Sequence, residues 1–94
     1  MNNLKETLQR EFQDDEYAFA YLESQLHEYI ATQIKILREQ RKWTQKQLAA
    51  KAGMKQSRIS VMENVNYDQW SISTLLKLAE VFGLTLTVSF ETFE

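Results

Sequence analysis

Apolar residues recur at helical intervals along most of this chain, and only the last ten residues switch to strict alternation. Leu4, Leu8 and Phe12, spaced by four, predict a weak first helix that frays at its start. Asp14 or Asp15 is placed to cap a long helix from about residue 15 to 42, with Leu22, Leu26, Tyr29, Ile30, Ile34 and Leu37 as its apolar stripe. Thr44 with Gln47 three residues on forms a capping box, so another helix starts there, carrying Leu48, Ala49 and Ala52. Ala49 is small enough for a second helix to cross closely over it. Gly53 stands where that helix must stop, because glycine enters the left-handed conformation without steric cost. A short helix follows, with Ile59 and Met62 on one face and Gln56, Ser57, Ser60 and Val61 facing elsewhere. Ser71 caps a further helix whose Leu75, Leu76, Leu78, Ala79 and Phe82 are expected to pack inward, and Gly83 ends it. In LTLTVSFETF, Leu84, Leu86, Val88 and Phe90 fall on one face and Thr85, Thr87, Ser89 and Glu91 on the other, which predicts a strand. One strand cannot satisfy its own backbone, and pairing with the same strand of a second chain across a two-fold axis is the simplest solution.

The pattern predicts a mainly α fold with one C-terminal β-strand pairing across a dimer. It divides into an N-terminal helical extension at 1–32, a helical core at 33–83 and a dimerisation strand at 84–94. Ninety-four residues allow one modest core, which dimerisation would support. Proline is absent, so helices can run long, and no apolar run is long enough to span a bilayer. The absence of cysteine excludes a disulfide framework and thiolate metal sites and fits a reducing cytoplasm. With a single histidine, His27, and no nucleophile elbow or phosphate loop, neither metal centre, cofactor nor enzyme is expected. His27 lies among acidic residues and reads as part of a solvated helix face.

Net charge −2 hides a partition. Residues 1–32 carry two basic and seven acidic groups. Residues 33–64 carry eight basic groups (Lys35, Arg38, Arg41, Lys42, Lys46, Lys51, Lys55, Arg58) against Glu39 and Glu63. Residues 65–94 carry Lys77 against four acids. The basic block coincides with the two short helices around Gly53. Two helices joined by a glycine turn, with polar side chains opening the second, suit a helix-turn-helix that sets one helix in the DNA major groove.

Gln45, Ala49, Gly53 and Ile59 form the constrained part of that pattern. ILREQRKWTQKQLAAKAGMKQSRISVMEN and SISTLLKLAEVFG resemble the first three helices and the fourth helix of the Cro/C1-type (Xre) helix-turn-helix family of bacterial and phage regulators. The resemblance implies a lambda-repressor-like bundle, a cytoplasmic, nucleoid-associated setting, and a homodimer that represses transcription at a palindromic DNA operator. Position 55 is lysine where the family usually has a Ser or Thr cap, and VNYDQW replaces its glycine-containing, often basic loop.

The base-contacting candidates are Gln56, Ser57, Ser60 and Val61: Gln56 can bond an adenine edge bidentately, and Val61 can touch a thymine methyl. Gln45 at a helix N-terminus, with Lys46, Lys55, Arg58 and Asn64, are phosphate candidates. Arg38 and Glu63 occupy positions that in the family often form an internal ion pair, so both are read as structural. Trp43 and Trp70 are expected to pack rather than stack on bases.

A second reading comes from the aromatic, acidic N-terminal addition. Its placement before this domain resembles HigA-type antitoxins, which repress their operon and neutralise a toxic ribonuclease. Residues 14–30, with Tyr17 and Tyr21, would then meet a small basic toxin protein, while core or dimer packing is the plainer use of Tyr17, Phe19, Tyr21 and Tyr29.

Overall fold

The computed structural model describes residues 15–92. The helix expected at Leu4, Leu8 and Phe12 and the candidate cap Asp14 lie outside the described residues. Those described form four helices: α1 (Asp15–Gln40), α2 (Gln45–Ala52), α3 (Gln56–Met62) and α4 (Ile72–Phe82).

Each boundary has a local cause. Asp15 and Glu16 in the first turn of α1 and Arg38 in its last complement the helix dipole. The chain then reverses through Lys42 in a left-handed conformation (φ 59°), with the Trp43 N–H bonded back to the Arg38 carbonyl at 3.2 Å. The Thr44 hydroxyl accepts from the Gln47 N–H at 3.0 Å, and the Gln47 carboxamide oxygen accepts from the Thr44 N–H at 2.8 Å. At Gly53 (φ 65°) the backbone turns out of α2, and the Met54 N–H returns to the Ala49 carbonyl at 2.9 Å. Ser71 caps α4 by accepting from the Thr74 N–H at 3.2 Å, and Gly83 ends it at φ 72°.

The core lies where α2 packs against α3 and α4, and α1 joins it through Ile34. It comprises Ile34, Leu48, Ala49, Ala52, Ile59, Met62, Leu78 and Phe82. Leu48, Ile59 and Met62 are fully enclosed, each stabilising the fold by about 1.5–3 kcal/mol. Trp43 stacks on Phe82 with ring centroids 6.0 Å apart, and Trp70 meets Tyr67 edge to face at 4.7 Å. The VNYDQW loop is thus pinned to the core through Tyr67 and Trp70.

Three expectations about apolar positions need correction. On α1, Leu26 and Tyr29 are 55% and 61% exposed, while Ile30, Ile34 and Leu37 do meet the core. Ala18 and Ala31 are fully buried instead. On α4, Leu76 is 51% exposed and Leu78 and Phe82 carry the inward face. His27 is half-buried rather than solvated: its side chain is 21% exposed, with Nε2 3.5 Å from Glu23, and its Nδ1 has no hydrogen-bond partner.

Residues 84–92 form neither helix nor strand within the chain, and Leu84, Val88 and Phe90 are exposed. The domain boundary drawn after residue 32 falls inside the continuous α1. No helix among the described residues is long and apolar enough to cross a membrane.

Candidate nucleic-acid interface

α3 is held from behind and open in front. Ile59 and Met62 anchor it in the core, and the 3.6-residue turn sends Gln56, Ser57, Ser60 and Val61 to the opposite side. All four are exposed, Val61 at 53%. Among the described residues, the side chains of Gln56, Ser57 and Ser60 make no hydrogen bond within the chain, so their donors and acceptors are available to an outside partner. The N-cap, Lys55, takes the extended conformation (φ −74°, ψ 145°) but offers no side-chain cap. The first N–H groups of α3 therefore lack a side-chain acceptor from the cap position.

The rear of the site is a closed polar network. Arg38 Nε donates to Glu63 Oε2 at 2.6 Å and Nη2 to Oε1 at 3.0 Å, a bidentate pair. Arg38 Nη1 donates to the Trp43 carbonyl at 2.8 Å, joining the turn after α1 to the end of α3. Both side chains are nearly enclosed, at 11% and 4% exposure. The hydrogen bond that Arg38 donates to Glu63 raises its pKa above the ordinary value, opposing the loss of solvation on burial.

Gln45 belongs to this network too. Its Nε2 donates to Glu63 Oε1 at 3.1 Å, so its carboxamide is half-buried and committed inward. Only its backbone amide, at the start of α2, stays suited to a phosphate. Arg58 is exposed but tethered, with Nη2 donating to the Thr74 hydroxyl on α4 at 3.0 Å. The Asn64 carboxamide oxygen accepts from the Asn66 N–H at 2.8 Å and shapes the following turn. Lys46 and Lys55 are exposed without a charged partner among the described residues.

The block of eight basic groups is divided by this geometry. Arg38 is neutralised by Glu63. Arg41 donates from Nη1 to the Leu37 carbonyl at 3.0 Å and from Nη2 to the Phe82 carbonyl at 2.7 Å, closing the C-terminal ends of α1 and α4 together. Lys51 sits with its ammonium 4.7 Å from the Trp43 ring centroid. Lys35, Lys42, Lys46, Lys55 and Arg58 remain as exposed charge. The structural role of Arg41 was invisible in the sequence, because its acceptors are carbonyls at helix ends that only the fold brings together. Tyr17 and Tyr21 lie far along α1 from this face, 58% and 37% exposed, and both make contacts within the chain. Among the described residues, no group of His, Asp and Glu is arranged to hold a metal ion.

Comparison with known proteins places this arrangement among relatives. Residues 34–88 match the family model HTH_3, described as helix-turn-helix. The chain is 41% identical over 59 residues to an Antitoxin HipB of Escherichia coli O6:H1 and 39% identical over 59 residues to one of Escherichia coli (strain K12). Each alignment takes in 63% of this chain, and it spans 62% and 66% of the two relatives, just under two thirds of their length. The chain also superposes on one in the structure of a HipA-HipB-O2-O3 complex with a TM-score of 0.59 and 35% identity, covering 70% of this chain and 92% of that one.

Proposed function

The chain belongs to the helix-turn-helix family HTH_3, and we propose on that footing that it is a dimeric, sequence-specific DNA-binding regulator, a repressor of its own operon acting in the cytoplasm. The outward stripe of α3 carries this reading. It offers hydrogen-bonding side chains at Gln56, Ser57 and Ser60 and a methyl-bearing contact at Val61, on a helix anchored from behind by Ile59, Met62 and the Glu63 network. Gln56 reads a base edge, Val61 meets a thymine methyl, and Ser57 and Ser60 complete the contact. Lys46, Lys55, Arg58, the Gln45 amide and Asn64 hold the flanking phosphates. Exposed Leu84, Val88 and Phe90, with half-buried Leu86, alternate along a segment that forms neither helix nor strand within the chain. That pattern supports antiparallel pairing with a second copy, and the resulting two-fold axis matches a palindromic operator.

A second role is favoured by the similarity to antitoxins: the same chain binds and neutralises a toxin protein. The matched antitoxins are named HipB, whereas the N-terminal addition suggested the HigA type. Tyr17 and Tyr21 on the acidic half of α1 remain the proposed contact with a basic partner. Footprinting of the purified chain on its own promoter, with and without the neighbouring gene product, tests both roles. A discrete symmetric footprint supports the regulator, and a footprint extended or altered by the neighbour supports the antitoxin. No protection at any concentration that leaves bulk DNA unbound refutes the regulator. Deleting residues 1–30 should abolish toxin binding; if neutralisation survives, Tyr17 and Tyr21 are not the docking site.

A further inference from the structure

Arg58 differs from Arg38 in what holds it. Its Nη2 donates to the Thr74 hydroxyl at 3.0 Å, which ties α3 to the first turn of α4. Arg38 is neutralised by a carboxylate, whereas the acceptor for Arg58 is a neutral oxygen, so this guanidinium keeps its whole charge. The side chain is exposed, and its other N–H groups have no partner among the described residues. A guanidinium offers two two-pronged edges, Nε with Nη2 and Nη1 with Nη2. Thr74 takes one of the two Nη2 protons, so whichever edge it occupies, the other stays whole. One bidentate edge is left for an oxyanion.

The tether ends on a fixed point. α4 is anchored in the core by Leu78 and Phe82. The Thr74 N–H donates to Ser71 Oγ at 3.2 Å, and the Ser71 hydroxyl donates to Thr74 Oγ1 at 2.9 Å. With its one proton so used, the Ser71 oxygen accepts from the Ser73 hydroxyl, 3.2 Å away. Threonine is stiff at χ1, and its two bonds to Ser71 hold the hydroxyl in place. Around α3, Arg58 lies about 100° from Ser57 and about 60° from Val61, on the side turned to α4. It therefore flanks the outward stripe instead of lying in it. A helix in the major groove has base edges in front of it and phosphates to either side.

We propose that Thr74 is a positioning residue of the DNA interface: its hydroxyl holds the Arg58 guanidinium beside the outward stripe of α3, with one bidentate edge free for a backbone phosphate. The inference rests on the DNA-binding reading and adds to it a residue of α4 that acts through another. A free arginine gives up the rotational freedom of a long side chain when it meets a phosphate. The tether settles part of that loss before DNA arrives.

Thr74→Val keeps the shape and β-branching of threonine and removes the hydroxyl. In titrations of the full-length chain on its promoter duplex and on a scrambled duplex, it should bind both roughly threefold to tenfold more weakly, as freeing one long side chain implies. Thr74→Ser, which restores the hydroxyl, should recover most of that loss. Arg58→Ala should lower the slope of log affinity against log salt by about one, as loss of one phosphate contact does. In the Arg58→Ala background, Thr74→Val should change nothing more. A clasp that served folding alone would shift the melting temperature and leave the affinity of the folded chain unchanged. Wild-type affinity for Thr74→Val, no recovery by Thr74→Ser, or a Thr74→Val loss that persists without Arg58 would each overturn the proposal. So would a loss confined to the promoter duplex, since it would make Arg58 a base reader. Gln56→Ala in the same titrations separates the two levels. If it loses promoter affinity while Thr74→Val does not, the positioning role alone fails. A wild-type chain that binds neither duplex takes the DNA-binding reading down with it.

Discussion

The two sides of α3 differ in how their polar groups are used. On the rear, Arg38, Gln45, Glu63 and the Trp43 carbonyl satisfy one another within a nearly closed network. On the front, Gln56, Ser57 and Ser60 make no hydrogen bond inside the chain among the described residues, and the cap position, Lys55, bonds nothing with its side chain. Polar pairing is therefore concentrated on the enclosed rear, and hydrogen-bonding capacity is left over on the exposed front. A rigid rear positions a short helix, and the helix then loses little freedom when the front is engaged.

The largest effect should come from the rear. Glu63→Ala leaves the Arg38 guanidinium enclosed without its counter-ion and should cost about 3–5 kcal/mol of folding stability, measured by urea denaturation. Replacing both partners with apolar residues, R38M/E63L, should recover much of that loss, because the charge no longer needs a partner. The arginine's raised pKa gives a sign for pH. Its contribution is fully present below the ordinary arginine range and is lost only as pH rises through the folded-state value. From the arginine's side, the pair is therefore insensitive to pH around neutrality.

A change on the front should split the two readouts. Gln56→Ala should reduce affinity for the chain's own promoter by about 1–3 kcal/mol and relax preference at one base pair, with the unfolding curve unchanged. A comparable loss of stability would show that the front is structural as well. Gly53→Ala tests the hinge between the sides. An added Cβ would stand 3.9 Å from Lys77 Nζ, ordinary contact, so the expected cost of about 1–2 kcal/mol comes from the left-handed backbone alone. Smallest of all, Lys55→Ser should supply the missing cap and stabilise the chain by about 0.5–1 kcal/mol in thermal unfolding.

Much of the fold was legible because its boundaries are local. Thr44 with Gln47, Gly53, Ser71 and Gly83 each set a helix end through atoms a few residues away. The stripe of α1 was only half legible, since hydrophobicity does not say which of two apolar faces meets the core. Leu26 and Tyr29 look as core-like as Ile30 and Ile34 yet are exposed, while Ala18 and Ala31 are fully buried. The front of the site followed from spacing around Ile59 and Met62, but the rear did not. Gln45 sits at a helix start, where a phosphate ligand is expected, yet its carboxamide reaches Glu63 across eighteen residues. Arg41 counts as surface charge in the sequence and becomes a clasp on the Phe82 carbonyl in the fold. Nonlocal polar pairing leaves no periodic trace.

The claim that the outward stripe of α3 reads DNA sequence is tested most directly by a competition titration. The intact chain would be bound to its promoter duplex at physiological salt and displaced with a scrambled duplex of the same length and composition. A preference of about a thousandfold or more for the promoter is the predicted result, and equal displacement by both duplexes would contradict it.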